Sequence, residues 1–188
     1  DNYDSDGNRL VRFQETNSGD FAADALYYLF DNMGLDVDLA VMNGGGTRNT
    51  AITGDVSYKT CKDMHPFGNV ACLQTVTGQQ ILDMLEWRTR HTPNEDGSFL
   101  HVSGITYKIN TSIENTTVAD EYDVWISGPE KYRVHDIKVY NKNTNSWEDL
   151  DLNAEYNLAG YNYTLRDLGG GFAMLDGAQI KDSANSLK

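Results

Sequence analysis

Leu39-Ala40-Val41-Met42-Asn43-Gly44-Gly45-Gly46-Thr47-Arg48 is an apolar run that stops at three consecutive glycines and an arginine. The run, with Asp38 before it, has the length and composition of a buried strand over Asp38 to Met42. The glycines end it in a loop whose backbone can approach a ligand or another segment closely. Arg48 at the mouth of that loop presents a planar fork of donors suited to phosphate or carboxylate, and exposed glycine N–H groups would add to the same anion site. A tight turn with a solvated arginine is the plainer reading of a glycine run by itself. Pro66-Phe67-Gly68-Asn69 shifts the balance toward a site. It puts an aromatic ring on a stiff turn beside an amide side chain, a stacking surface and an edge reader for a flat heterocycle.

Working outward, Thr16 to Asp20 offers several N-cap residues, and Phe21, Ala22, Ala25, Leu26, Leu29 and Phe30 recur at helical spacing. This predicts a helix over about 19–33, closed by Gly34. Before it lies Leu10-Val11-Arg12-Phe13, a short apolar segment with one arginine. Residues 1–9 are acidic, polar and glycine-containing, and read as a disordered leader or linker remnant, which leaves 10–188 as one domain. Beyond the glycine loop, one or two helical turns are expected after Tyr58 and a strand over Val70 to Val76. Thr77-Gly78-Gln79-Gln80 then caps a helix that buries Ile81, Leu82, Leu85 and Trp87, with Arg88 and Arg90 near its C-terminal end. Pro93 to Gly97 reads as an exposed loop.

From Phe99 onward the pattern becomes short alternating segments at 100–109, 122–127, 132–140 and 154–161, separated by turn residues. Leu168-Gly169-Gly170-Gly171-Phe172 is a second glycine loop with an aromatic behind it. The polar tail from Lys181 reads as unpacked or as a truncated helix. Helices early and strands late give an α+β chain, a single domain with its early helices packed on a mixed sheet.

The 188 residues suffice for one hydrophobic core. Fifteen basic and 28 acidic side chains give a net charge of −13, which disfavours binding to nucleic acid or anionic lipid. An anion site must therefore be a local positive island. No apolar run approaches the roughly 18 residues of a membrane span, so no direct membrane insertion is expected. The start at Asp1 reads as an excised or processed piece. Cys61 and Cys72 are compatible with one disulfide or two buried thiols, and the size of the chain favours thiols. The four histidines, His65, His91, His101 and His135, are scattered without metal-ligand spacing. No nucleophile elbow, Walker loop or dinucleotide fingerprint is present. On these grounds the chain looks like a binding domain and not a complete catalytic unit.

Several short motifs occur in a fixed order: Glu15-Thr16-Asn17-x-Gly19, Asn43-Gly44-Gly45-Gly46-x-Arg48, Gly54-Asp55-x-Ser57-Tyr58, Pro66-Phe67-Gly68-Asn69, Leu100-x-Val102-Ser103-Gly104-Ile105, and the glycine loop before Phe172. The series resembles the C-terminal domain of the 5′-nucleotidase family of metallophosphoesterases, which includes UDP-sugar hydrolases and 2′,3′-cyclic-nucleotide phosphodiesterases. The likeness covers about residues 10–176. It implies a nucleotide-binding and specificity domain, with a divalent metal pair of zinc or manganese type held by a separate N-terminal domain of the full-length chain. No cofactor is expected in this chain, which alone would hydrolyse nothing. The resemblance further implies a secreted, periplasmic or cell-surface location.

By the same resemblance Arg12 and Arg48 contact the phosphate or a carboxylate-like end of the ligand, with Arg9 one position away from a third family arginine. Phe67 stacks on the base and Asn69 reads its edge. The second ring is Tyr163 or Tyr161. The family's aspartate that holds the ribose hydroxyls corresponds to Gly170, so ribose should be gripped less tightly unless Asp167 reaches in. The missing acid also supports an alternative, a non-catalytic surface module that binds nucleosides or nucleotides.

Overall fold

A computed structural model describes residues 3–48 and 54–183. Its centre is a five-stranded mixed sheet made of β1 (Leu39–Asn43), β2 (Ala71–Thr77), β3 (Leu100–Ser103), β9 (Glu155–Tyr161) and β10 (Gln179–Ser183), in the order β10-β2-β9-β1-β3. β1 runs parallel to β9, and both run antiparallel to their outer neighbours β3 and β2. This alternation brings the C-terminal ends of β1 and β9 and the N-terminal ends of β2 and β3 to one rim of the sheet. The glycine loop with Arg48, the Phe67–Asn69 turn and the segment with Tyr163 all leave or enter the sheet there, while the Arg12 turn docks on the glycine loop from outside the sheet.

The strands alternate in what they bury, as a period of two requires. Ala40 and Met42, Ala71 and Leu73, and Ala159 face α1 (Asn17–Asn32), which covers them with Ala22, Ala23, Leu26 and Phe30. Leu39 and Val41, Cys72 and Val76, and Leu158 face the other way, against α3 (Gly78–Thr89) and its Ile81, Met84, Leu85 and Trp87. The mixed sheet with helices packed on it is the α+β arrangement the sequence predicts. Thr16 caps α1 by accepting from Gly19 N–H at 3.2 Å. Thr77 and Gln80 form a reciprocal capping box on α3.

α2 (Tyr58–Met64) is the expected short helical element, capped by Ser57. No disulfide joins its half-buried Cys61 to the fully buried Cys72 of β2. The expected 100–109 strand is two strands. Gly104, at φ +73°, packs so closely on the Asp38 carbonyl that a Cβ would collide with it, and the chain changes sheets at this point. β4 (Ile105–Ile109) leaves for a small sheet with β7 (Val134–Asn141) and β8 (Ser146–Asp149), while β5 (Val118–Ala119) pairs with β6 (Trp125–Ser127).

Two terminal readings change. Residues 3–9 are not a loose leader: Tyr3 bridges to Arg9, Asp4 accepts from Asn8 N–H at 2.8 Å, and Arg9 donates to Glu95 and to the Thr47 carbonyl. The start of the tail is not helical, since Gln179–Ser183 pairs with β2 as an edge strand. The rest of the tail, 184–188, and residues 1–2 lie outside the described residues.

The C-terminal end of α3 is closed by Arg133. Its guanidinium donates to the carbonyls of Thr89, Arg90 and Thr92 at 2.8–3.0 Å, where the helix dipole favours a cation. Glu86, fully buried on the same helix, accepts from the N–H groups of Arg133 and Val134 at 2.8 and 2.9 Å and from the Asn115 amide at 3.1 Å. Glu86→Ala would strand two buried backbone donors and the half-buried Asn115 amide. A loss of about 3 kcal/mol or more is expected in urea unfolding, and an unchanged midpoint would refute this role.

Candidate functional site

The rim of the sheet opens into a cleft of about 520 Å³ lined by Arg12, Asn43, Gly45, Gly46, Arg48, Phe67, Asn69, Gly97, Ser98 and Tyr163. These residues come from five segments separated in sequence, and five of them are candidates named from sequence. Arg12 closes a 3-10 turn, Leu10–Arg12, that docks on the glycine loop. Arg48 leaves the loop with its N–H bonded to the Met64 carbonyl at 2.8 Å. Phe67 and Asn69 precede β2. Tyr163 lies in α4 (Asn162–Leu165), just after β9.

The glycine loop works differently from an anion nest. Gly44 N–H donates to Phe99 O at 2.7 Å, Gly45 N–H to Gly97 O at 2.6 Å and Gly46 N–H to Asn43 O at 2.9 Å. The expected contribution of these groups to anion binding is therefore ruled out, because all three donors are already used. The glycines are needed for close approach instead. A Cβ at position 44 would collide with the Val11 carbonyl, and one at 45 would stand 2.5 Å from Gly97 O. The loop is clamped between the turn that carries Arg12 and a strap, residues 93–98, that crosses above it.

Charge gathers where the sequence places it. The cleft lining includes Arg12 and Arg48 and no Asp or Glu. The Arg12 Nε is buried and has no hydrogen-bond partner among the described residues. Arg9 stands beside the cleft without lining it and bonds Thr47 O at 2.5 Å. Its pKa is lowered first by burial and then by the positive charges of Arg12 and Arg48, so the three guanidinium groups feel one another. On a chain of net charge −13 this is the positive island that an anion site demands.

Phe67 is 56% exposed and Tyr163 41%, an unusual state for rings that line a concave surface. Arg48 lies over the Phe67 ring, its guanidinium carbon 5.0 Å from the centroid. Tyr161 is not in this cleft. It is half-buried against the α1-side core, meets His65 edge-on at 6.1 Å, and has its hydroxyl pKa raised by burial. Of the two tyrosines, the geometry places Tyr163 at the cleft and Tyr161 behind it, with only a small side crevice between Tyr161 and Phe67.

Gly170 also stands behind the lining. Its carbonyl accepts from Trp87 Nε1 at 3.1 Å, its φ is +86°, and a Cβ there would lie 2.8 Å from Ser98 Oγ. Asp167 does not reach in: it pairs with Arg166 at 2.6 Å and accepts from the Asn162 amide at 2.8 Å. Sequence reasoning missed Asn43, Gly97 and Ser98. The strap was read as a plain exposed loop, and nothing local in Pro93 to Gly97 signals that its carbonyl at Gly97 takes bonds from Gly45 and from Asn43 Nδ2 at 3.2 Å.

The family described as 5′-nucleotidase, C-terminal domain, matches residues 3–177. The chain belongs to the 5′-nucleotidase C-terminal domain family. A 5′-nucleotidase of Vibrio parahaemolyticus is 33% identical over 113 residues, 60% of this chain and 19% of the relative. The trifunctional nucleotide phosphoesterase YfkN of Bacillus subtilis is 31% identical over 145 residues, 76% of this chain and 10% of the relative. The crystal structure of a 5′-nucleotidase precursor from Thermus thermophilus superposes with a TM-score of 0.74 at 29% identity, covering 90% of this chain and 30% of that one. The chain thus spans a fifth or less of these two curated relatives, and 5′-nucleotidase C-terminal domain describes the fold of that portion.

The clamp on the glycine loop has a direct test. Gly44→Ala would push the Leu10–Arg12 turn away from the loop, moving Arg12 out of the cleft. The variant is expected to lose about 1–3 kcal/mol of stability by overpacking. A chemical-shift map should show changes concentrated at residues 9–13 and 95–99, and a map confined to residues 43–46 would contradict the clamp.

Proposed function

We propose that the cleft binds a nucleotide or nucleoside, and that this domain selects and positions the substrate of a phosphohydrolase of its family. The convergence of Arg12, Arg48, Phe67, Asn69 and Tyr163 on one concave surface carries the reading. Phe67 and Tyr163 offer π-faces to a base, and the Asn69 amide offers both a donor and an acceptor to its edge. The guanidinium groups of Arg12 and Arg48 suit a phosphate. A ligand held at a base end and a charged end has a fixed orientation, which is what a reacting phosphate ester requires of a binding domain.

Hydrolysis itself is proposed to occur elsewhere in the full-length protein, on an N-terminal metallophosphoesterase domain with a divalent metal pair. Among the described residues of this chain no group of three or more His, Cys, Asp or Glu gathers to hold a metal ion, and no catalytic step is assigned to it. A divalent pair supplies an activated water and a clamp on the phosphoryl oxygens. This chain's part is to bind, orient and neutralise. The proposed location is extracellular, periplasmic or cell-surface, on the family resemblance; no helix among the described residues is long and apolar enough to cross a membrane.

Calorimetric titration of the 188-residue chain with adenosine and AMP tests the site. Phe67→Ala and Tyr163→Ala should each weaken both ligands by about 1–3 kcal/mol, the usual worth of one base–aromatic stack. Tyr161→Phe should leave affinity unchanged, and Arg48→Met should remove much of the preference for AMP over adenosine. Equal losses at Tyr161 and Tyr163, or none at either, would refute the assignment.

The sugar edge of the cleft has Ser98 and no carboxylate. Adenosine and 2′-deoxyadenosine should therefore bind within about tenfold of each other, a spread of about 1.4 kcal/mol. A much larger preference for the ribonucleoside would show that a strong acceptor for the hydroxyls has been overlooked.

A further inference from the structure

Arg88 has no part in the binding scheme above, yet it is a buried cation directly behind the cleft. Its side chain is 2% exposed. The guanidinium carbon lies 4.5 Å from the Trp87 ring centroid and 4.6 Å from that of Phe172. Burial lowers its pKa, and the neighbouring Asp96 carboxylate works against that shift. A cation sealed between two rings is costly unless its hydrogen bonds are placed to advantage.

Its two polar partners belong to different segments of the cleft wall, which touch at Ser98 and Gly170. Nη1 is 3.5 Å from Asp96 Oδ2 on the strap, and Nη2 donates to Gly170 O on the second glycine loop. Asp96 organises its wall. Its Oδ1 accepts from Ser98 N–H at 2.8 Å, and its own N–H donates to Arg12 O at 2.9 Å. Gly170 follows Gly169, whose N–H donates to Tyr163 O at 2.6 Å and whose Cα lies so close under the Tyr163 ring that a Cβ would collide with it. One guanidinium therefore ties the wall that carries Ser98 to the wall that carries Tyr163.

We infer that Arg88 is a positioning residue that sets the gap between Ser98 and Tyr163, and with it the fit of whatever flat group lies against Tyr163. The inference rests on the nucleotide reading of the cleft. The arginine end meets the strap through Asp96 N–H on Arg12 O, a backbone bond that does not use the Arg88 guanidinium, and it has anchors of its own: Arg12 N–H donates to Arg9 O at 3.0 Å, His101 Nε2 donates to Val11 O at 2.9 Å, and Arg48 is anchored to Met64. Arg88 therefore acts on the base end.

The test is titration of adenosine and AMP into the 188-residue chain and its Arg88→Lys and Arg88→Met variants, with amide exchange followed in the same samples. Arg88→Lys keeps the charge and loses the fork that bridges two walls. Both ligands should weaken by about tenfold, the scale of a modest misplacement, with the AMP-to-adenosine preference unchanged. Loss of stability with unaltered Kd would mean a structural role alone and would overturn the inference, as would loss of the AMP preference. Should Arg88→Met not fold, Arg88→Lys carries the test. If the unaltered chain binds neither ligand, the nucleotide reading fails and positioning is read from exchange. Faster exchange at both Ser98 and Gly169, with Gly46 unchanged, supports it, and a change on one wall or on neither overturns it.

Discussion

The cleft depends on a backbone-to-backbone approach that side chains would forbid. Gly44 presses against the carbonyl of Val11, and Gly45 hydrogen-bonds to the carbonyl of Gly97, so one loop is clasped by a turn below and a strap above. None of the three glycines from 44 to 46 has a positive φ. Their value is the missing Cβ and not unusual torsion freedom, and this distinguishes a packing glycine from a turn glycine. Once clasped, the loop fixes Arg12 and Arg48 relative to each other, and the strap delivers Ser98. Two distant parts of the chain are thus joined by hydrogen bonds that need no particular side chains at their centre.

Strand direction does the rest. Because β1 and β9 run opposite to β2 and β3, four strand ends share a rim, and each carries a short connection with one or two functional side chains. The sheet core supplies rigidity through two faces of close-packed apolar residues, while the connections supply the chemistry. An acidic surface surrounds a small basic centre. Arg9 stands beside Arg12 and Arg48, and its pKa is lowered first by burial and then by their positive charges.

Much of this was legible in the sequence, and the reasons are specific. Helix α1 announced itself through Phe21 to Phe30 at helical spacing, and α3 through the Thr77 capping box. Arg48, Phe67 and Asn69 were marked by ordered motifs, and Arg12 by the family resemblance, and the fold brings all four to one cleft. What escaped was set by long-range geometry. The choice between Tyr161 and Tyr163 turns on where β9 ends: through Tyr161 the chain still follows the pleat, and the turn of α4 that follows swings Tyr163 outward. The strap looked like a solvated loop because Asn94, Glu95 and Asp96 are polar. Pro93, Asn94 and Glu95 are indeed exposed, and what the sequence does not show is that Asp96 turns inward to face Arg88. The break at Gly104 was hidden because the residues on either side both read as strand.

The two ends of the cleft are built to different tolerances. At the charged end Arg48 already lies over Phe67, so a base approaching that face must displace the guanidinium or use the ring's other face. A cation–π contact of this exposed kind is worth about 0.5–1 kcal/mol, less than the 1–3 kcal/mol of a base stack, so displacement is favourable whenever a base is present. On the proposed nucleotide reading, the freed guanidinium is then available to the anionic end of the ligand. Arg48 can thus serve as a cover for the ring in the empty cleft and as a phosphate ligand in the filled one. The walls near Tyr163 are joined by Arg88 through Asp96 and Gly170, and on the proposed reading that bridge persists when the cleft is filled. Adaptability at the phosphate and rigidity at the base follow from which arginine is exposed and which is sealed in.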